Sequence, residues 1–157
     1  MTTFTAARAA ANVPVAKPPG GAMAVAWGTI EVTANPVAND VYQMCRIPAG
    51  AVVVGGQIWS DDLDTNATET LDLDVGWAAN GTESADPDGF GNLGVMGTDT
   101  VAGIKPESGY NYQFGGTLIT DGPRTFSKET IVQVTCVATA ATFAAGTLSV
   151  AVYYYVP

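Results

Sequence analysis

The chain has no histidine. That removes the usual general base near neutral pH, every Ser-His-Asp or Cys-His arrangement, and the commonest transition-metal ligand. Basic residues are scarce as well: six Lys and Arg stand against fifteen Asp and Glu, for a formal net charge of −9. Phosphate binding draws on clustered Lys and Arg, so neither nucleic acid nor an anionic membrane is expected as a direct partner. The two cysteines, Cys45 and Cys136, lie in separate apolar-alternating segments, with no C-x-x-C spacing and no His to activate a thiolate. Both read as small core residues; a disulfide between them stays open, because sequence does not place their Cα atoms. No segment approaches the ~18 uninterrupted apolar residues of a membrane span, and the amino end has no apolar run of signal-peptide length. A soluble product made in the cytoplasm is expected.

Charge of either sign is thin. Charged residues make up 13% of the chain, against roughly 25% in an ordinary globular domain. Nine of the fifteen acids fall between Asp61 and Asp88. The remaining surface must therefore be largely Ala, Thr, Ser, Gly and Val, which suits contact with other subunits better than life as a free monomer. The 157 residues fit one domain, and a domain of this size buries roughly two-thirds of its unfolded surface without needing a staple.

Residues 1–21, "MTTFTAARAAANVPVAKPPGG", hold Arg8 and Lys17, no acid, three prolines and a closing Gly-Gly. They are expected to form an extended arm with no packed element beyond a short helical turn over Ala6 to Ala11. Phe4, Arg8, Val13, Val15 and Lys17 are its candidate contacts with a partner. Residues 22–157 form the domain. Short apolar segments alternate there with Gly, Pro, Asn and Asp, and no window sustains a helical period. Strands are expected over 23–33, 40–47, 51–60, 69–77, 109–119, 128–138 and 146–156, with a short piece near 93–101. Seven or eight antiparallel strands at this spacing indicate an all-β fold, a β-sandwich or jelly roll, with a partly open barrel as the alternative. In the last strand Leu148, Val150, Val152, Tyr154 and Val156 share one side and Thr147, Ser149, Ala151, Tyr153 and Tyr155 the other. A Tyr on each side of its end suggests burial on both, hence a central place in its sheet or a partner subunit.

The stretch "DDLDTNATETLDLD", residues 61–74, is dense in carboxylates and has no Lys or Arg. Alternation puts Leu71, Leu73, Val75 and Trp77 on one face and Thr70, Asp72, Asp74 and Gly76 on the other, so Asp72 and Asp74 are expected in solvent. Upstream, Asp62, Asp64 and Asn66 have the D-x-D-x-N spacing with which a tight calcium loop converges oxygen ligands. The rest of that pattern fails, with Ala67 where the turn wants Gly and Leu73 where a bidentate Glu belongs. No metal and no cofactor is expected, with those three as the calcium candidates. Gly89, Gly91 and Gly94 match G-x-G-x-x-G, but a Pro-Asp-Gly turn precedes them and no helix follows. Residues 78–92 are expected to form a long, projecting acidic loop. A glycosidase carboxylate pair needs apolar walls and sugar platforms; the acids sit in polar turns, and Trp27, Trp59 and Trp77 lie in strands, where aromatics are usually core. The N-x-T sequons at Asn66 and Asn80 carry weight only in a secreted eukaryotic protein. No enzymatic activity is expected.

The run "RIPAGAVVVGGQIWSDDLDTNATETLDLDVGWAANGTESADPDGFGN" and the terminal "AAGTLSVAVYYYVP" resemble small virion structural proteins of tailed bacteriophages, of the capsid decoration (cement) type. The likeness implies an all-β domain, usually a homotrimer, on the capsid exterior and bridging major capsid protein subunits. A head-fibre or receptor/glycan-binding module of the virion is the rival reading, and it would show exposed aromatic residues.

Overall fold

The computed structural model describes residues 1–95, 103–104 and 109–157. Its elements are β1 (Thr3–Thr5), a 3-10 turn (Ala7–Ala9), β2 (Met23–Val32), β3 (Val41–Ile47), β4 (Val52–Asp61), β5 (Asp72–Trp77), β6 (Asp86–Val95), β7 (Gly103–Ile104), β8 (Gly109–Gln113), α1 (Thr117–Thr120), β9 (Arg124–Thr125), β10 (Thr130–Ala138) and β11 (Gly146–Tyr155). They form two sheets. The first runs β1-β3-β10-β5-β6; the second runs β2-β11-β4-β8-β7, with β9 also paired to β4. This is the all-β sandwich expected from the alternating pattern.

The core lies between the sheets and is filled by the sides that alternation turns inward. Leu71, Leu73, Val75 and Trp77 are buried from the first sheet, and Leu148, Val150, Val152 and Tyr154 from the second. Trp77 meets Phe90 and Phe126 edge-on, with ring centroids 4.9 and 5.2 Å apart. That geometry suits the ring quadrupoles. The last strand, β11, is central, lying between β2 and β4, which is the first of the two alternatives its doubly buried end left open.

Four expectations change. β1 pairs in parallel with β3 through Thr3↔Val41 to Thr5↔Gln43, so the sandwich is not wholly antiparallel and the arm contributes a strand. The strand expected over 109–119 stops at Gln113, and Thr117–Thr120 form a helical turn. Gly116 has φ +54°, a conformation that breaks the ladder and favours glycine. The acidic loop is shorter than 78–92, because β6 begins at Asp86 and carries Phe90 into the core. Beyond Val95, the strand expected near 93–101 lies outside the described residues.

One close approach sets how the second sheet lies on the first. The β3–β10 register slips between Val132 and Gln133, leaving Met44 as an extra residue in β3. Such a bulge bends its strand and redirects the backbone. The Met44 carbonyl points at Gly28 of β2 and occupies the place a Cβ would take there. Only glycine fits. Gly28→Ala should therefore cost about 1–3 kcal/mol, which thermal melting would register as a Tm lowered by roughly 2–10 °C. Thr29→Ala, on the outward side of the same strand, is the control. A Gly28→Ala melt equal to wild type would show that the crossing relaxes freely.

Candidate functional site: the contact surfaces

The calcium candidates do not converge. Asp64 is fully buried. Its Oδ1 accepts hydrogen bonds from the backbone N–H of Asn66 and Thr142 at 3.3 and 2.9 Å, and its Oδ2 from Thr70, Leu71 and Ala141 at 2.8, 3.1 and 3.0 Å. The lone pairs a cation would need are spent on backbone donors. Asn66 likewise serves its own loop, accepting from Thr68 N and donating to Thr142 Oγ1. Asp62 Oδ1 lies 2.9 Å from the Tyr110 hydroxyl, itself 2.8 Å from Glu69 Oε2. Among the described residues no group of three His, Cys, Asp or Glu is placed to hold a metal ion. Asp64 is instead a rivet between the loop after β4 and the loop before β11.

Asp74 is not in solvent. It is buried, because β6 pairs alongside β5 where a loop was expected, and a slip in their register brings Leu93 N to Asp74 Oδ1 at 3.3 Å. Burial, then the charges of Asp72 and Asp88, push its carboxyl up to about 6, against which the Leu93 bond works. Asp86 is also raised, by burial and then by sharing a hydrogen bond and charge with Asp88, while Arg124 pulls the other way. The β5–β6 end of the first sheet is thus an acidic face. Asp72, the other half of that expectation, is half-buried.

The arm lies on its own domain. Phe4 stacks on Tyr42 with centroids 4.9 Å apart, and Asp40 Oδ1 accepts from Thr2 N at 2.7 Å. Arg8 sits 4.5 Å over the Trp27 ring. Arg46 Nη1 donates to the carbonyls of Ala10, Ala11 and Val13, and the Tyr154 hydroxyl to that of Ala16 at 2.9 Å. Phe4, Val13 and Val15 are half-buried by these contacts; Arg8 and Lys17 stay exposed. The segment is a strap, with more packed structure than its prolines and glycines suggested.

Of the three tryptophans only Trp77 is core. Trp59 is half-buried, and Trp27 is 47% exposed beside Met23 at 60% and Val25 at 55%. All three exposed side chains stand on the outer side of β2. Val25 and Trp27 border an open groove of about 430 Å³ whose floor is Ser149 and Ala151 of β11 and whose far wall is Trp59 of β4. The sequence held a signal for this: in "MAVAWGT" the small residues Ala24, Ala26 and Gly28 alternate with Met23, Val25 and Trp27. Cys45 and Cys136 are free and buried, as expected of core residues. Burial pushes both thiols up to about 12, with the Asp40 and Asp72 charges adding to the effect at Cys136.

No protein-family model and no curated protein matches the chain. Solved structures do. The chain is 33% identical to a chain of the cyanophage Pam1 capsid asymmetric unit, over 94% of this chain and 96% of that one, with a TM-score of 0.64. A chain of the capsid of Ralstonia phage GP4 is 20% identical over 99% of each, with a TM-score of 0.71. A chain of the acidic stable capsid structure of Helicobacter pylori bacteriophage KHP30 is 16% identical over 88% of this chain and 91% of that one, at 0.58. The last two share the fold. The first shows kinship: the chain belongs to the family of the Pam1 capsid chain and is a tailed-phage virion structural protein.

The buried carboxylates Asp64 and Asp74 should respond to pH in opposite senses. Burial alone would raise Asp64, but the N–H groups of Thr70, Thr142, Ala141 and Leu71 hold it down at about 2. Its stabilisation is complete above the unfolded pKa of about 3.9 and is lost as pH falls through the native value. Asp74, raised, contributes a penalty that is absent below about 3.9, grows as pH rises from there toward its native value of about 6, and is complete above it. Asp64→Asn should cost about 2 kcal/mol near neutrality, and the gap from wild type in Tm should close toward pH 2. Asp74→Asn should raise Tm at pH 7 and leave it unchanged at pH 3.5. Parallel Tm profiles for the three proteins would refute both assignments.

Proposed function

We propose that the protein is a decoration (cement) subunit: a homo-oligomer, most simply a trimer, on the exterior of a phage capsid shell, where it bridges major capsid protein subunits and stabilises them. The observation that carries this reading is the 33% identity to a Pam1 capsid chain along nearly the whole of both chains. The surfaces support it. One side of the sandwich is acidic and suits solvent, and the other presents apolar side chains that suit protein contact. Buried area across the seams between capsomers, multiplied over many copies, stabilises a shell under outward pressure.

The reading is non-catalytic. Its support is the lack of histidine, the buried thiols and the commitment of Asp64 to backbone donors. The protein would be made in the host cytoplasm and touch neither nucleic acid nor membrane; no helix among the described residues is long and apolar enough to cross a bilayer. A glycan-binding head-fibre module draws on exposed Trp27, but that ring stands on a strand whose outer edge pairs with no strand among the described residues, and such an edge is used by protein strands rather than sugars. With Phe4, Val13 and Val15 turned onto their own domain, the arm would meet the shell through its exposed side, chiefly Arg8 and Lys17.

Electron microscopy of cognate shells lacking this protein, before and after its addition, tests the reading. Added density is expected on the outer surface, astride capsomer boundaries. Density confined to a tail or fibre, or none at saturating protein, would reject it. In a competition at limiting concentration, the double variant Arg8→Glu, Lys17→Glu should be retained at least about tenfold less than wild type, a loss of roughly 1.4 kcal/mol per site. Equal occupancy would remove the arm from the interface.

A further inference from the structure

We propose that the outer face and free edge of β2 form the surface on which a second copy of this chain docks. The inference rests on the decoration reading above and assigns its self-contact to particular residues. β2 is the terminal strand of the second sheet, paired to β11 along its whole length from Met23↔Tyr155 to Val32↔Gly146 and to no strand on its other side among the described residues. From Met23 to Ile30 it carries no charge and no proline. Soluble proteins protect a long edge with Lys, Pro or a bulge, since its unpaired N–H and C=O groups otherwise recruit another chain. Among the described residues the strap is what lies beside the strand: its 3-10 turn packs there, and its residues 13–16 share a small pocket with Val25, Ala26 and Trp27, without adding a strand to the sheet.

The side chains make the same point independently. Met23, Val25 and Trp27 are each about half exposed or more, on a face that continues through Ala151 and Tyr153 to Trp59. Large apolar and aromatic side chains around a small-residue floor are what the centre of a protein interface uses.

Charge selects the occupant. The chain carries −9, and its carboxylates gather at the β5–β6 end of the other sheet, where Asp72, Asp74, Asp86 and Asp88 already repel one another. Two copies meeting there would set like charges together. At the β2 face they bring none, except the cation Arg8 over Trp27. The acids Glu31 and Asp61 stay at the far end, where both bond to Thr147. Self-association is therefore least opposed at β2.

Light scattering on the full-length chain at micromolar concentration tests this, comparing wild type with Val25→Glu, Thr29→Lys and the control Val137→Lys, which alters an exposed apolar residue of the other sheet. Wild type and the control should share a mass that is a multiple of 16.1 kDa. Val25→Glu and Thr29→Lys should fall to the monomer with an unchanged far-UV spectrum. Thr29 is already polar and outward, so its variant keeps the test valid if Val25→Glu misfolds. An oligomer that Thr29→Lys and Val25→Glu leave intact overturns the inference and leaves the decoration reading standing. Intact mass with lost shell retention gives the face to the shell and likewise overturns it. A wild type monomeric both free and as single copies on shells refutes the oligomer in the decoration reading itself.

Discussion

The crossing of β2 over the Met44 carbonyl is the contact on which the rest of the structure depends. A bulge in β3 pushes that carbonyl out of its ladder, and Gly28 lets β2 come down onto it. Because the approach is so close, the side of β2 facing the first sheet must be small, and Ala24, Ala26 and Gly28 supply it. The large residues of the strand then have nowhere to go but out. An apolar external face is thus a geometric consequence of how the two layers meet, and the same geometry leaves the strand at the end of its sheet, with one edge that pairs with no strand among the described residues.

A protein this poor in charge holds its loops with few ion pairs. Arg46 and Glu129 form the one salt bridge among the described residues, and Arg46 also gathers three carbonyls of the strap. The connections are otherwise stitched by single polar side chains to backbone. Asp64 takes five N–H groups from two loops far apart in sequence, Asp40 takes Thr2 and Val37, and Asn80 takes Thr82 and Glu83 while donating to Thr130. Each such group satisfies backbone donors in the connections, and at Asp64 one of them, Leu71 N, is buried and would otherwise be unpaired. The acids that resemble ligands are structural for this reason.

The molecule that results is two-sided. Its first sheet ends in crowded carboxylates that favour water, and its second offers tryptophan, valine and methionine along its terminal strand. Kinship with a phage capsid chain gives that asymmetry a setting, since a virion structural protein works in contact with other subunits.

Alternation along the chain was enough to establish the all-β class, the inward faces of β5 and β11 and the burial of both cysteines, and it left a central place for β11 as one of two alternatives. Each depends only on which residues lie two apart. Asp74 was misplaced because its burial comes from β6, a glycine-rich acidic segment that looks like a loop and becomes a strand only when β5 is beside it. Trp27 was misplaced because size alone does not say which face of a strand turns inward; the bulge at Met44 does, and it belongs to another strand. Phe4 and the strap were legible as an arm, but their seat on Tyr42 needed β3 in place. What the sequence by itself determined was the period and the chemistry of each strand; which side of β2 meets the other sheet and which meets the world was decided only by the tertiary crossing, through steric exclusion at a single glycine.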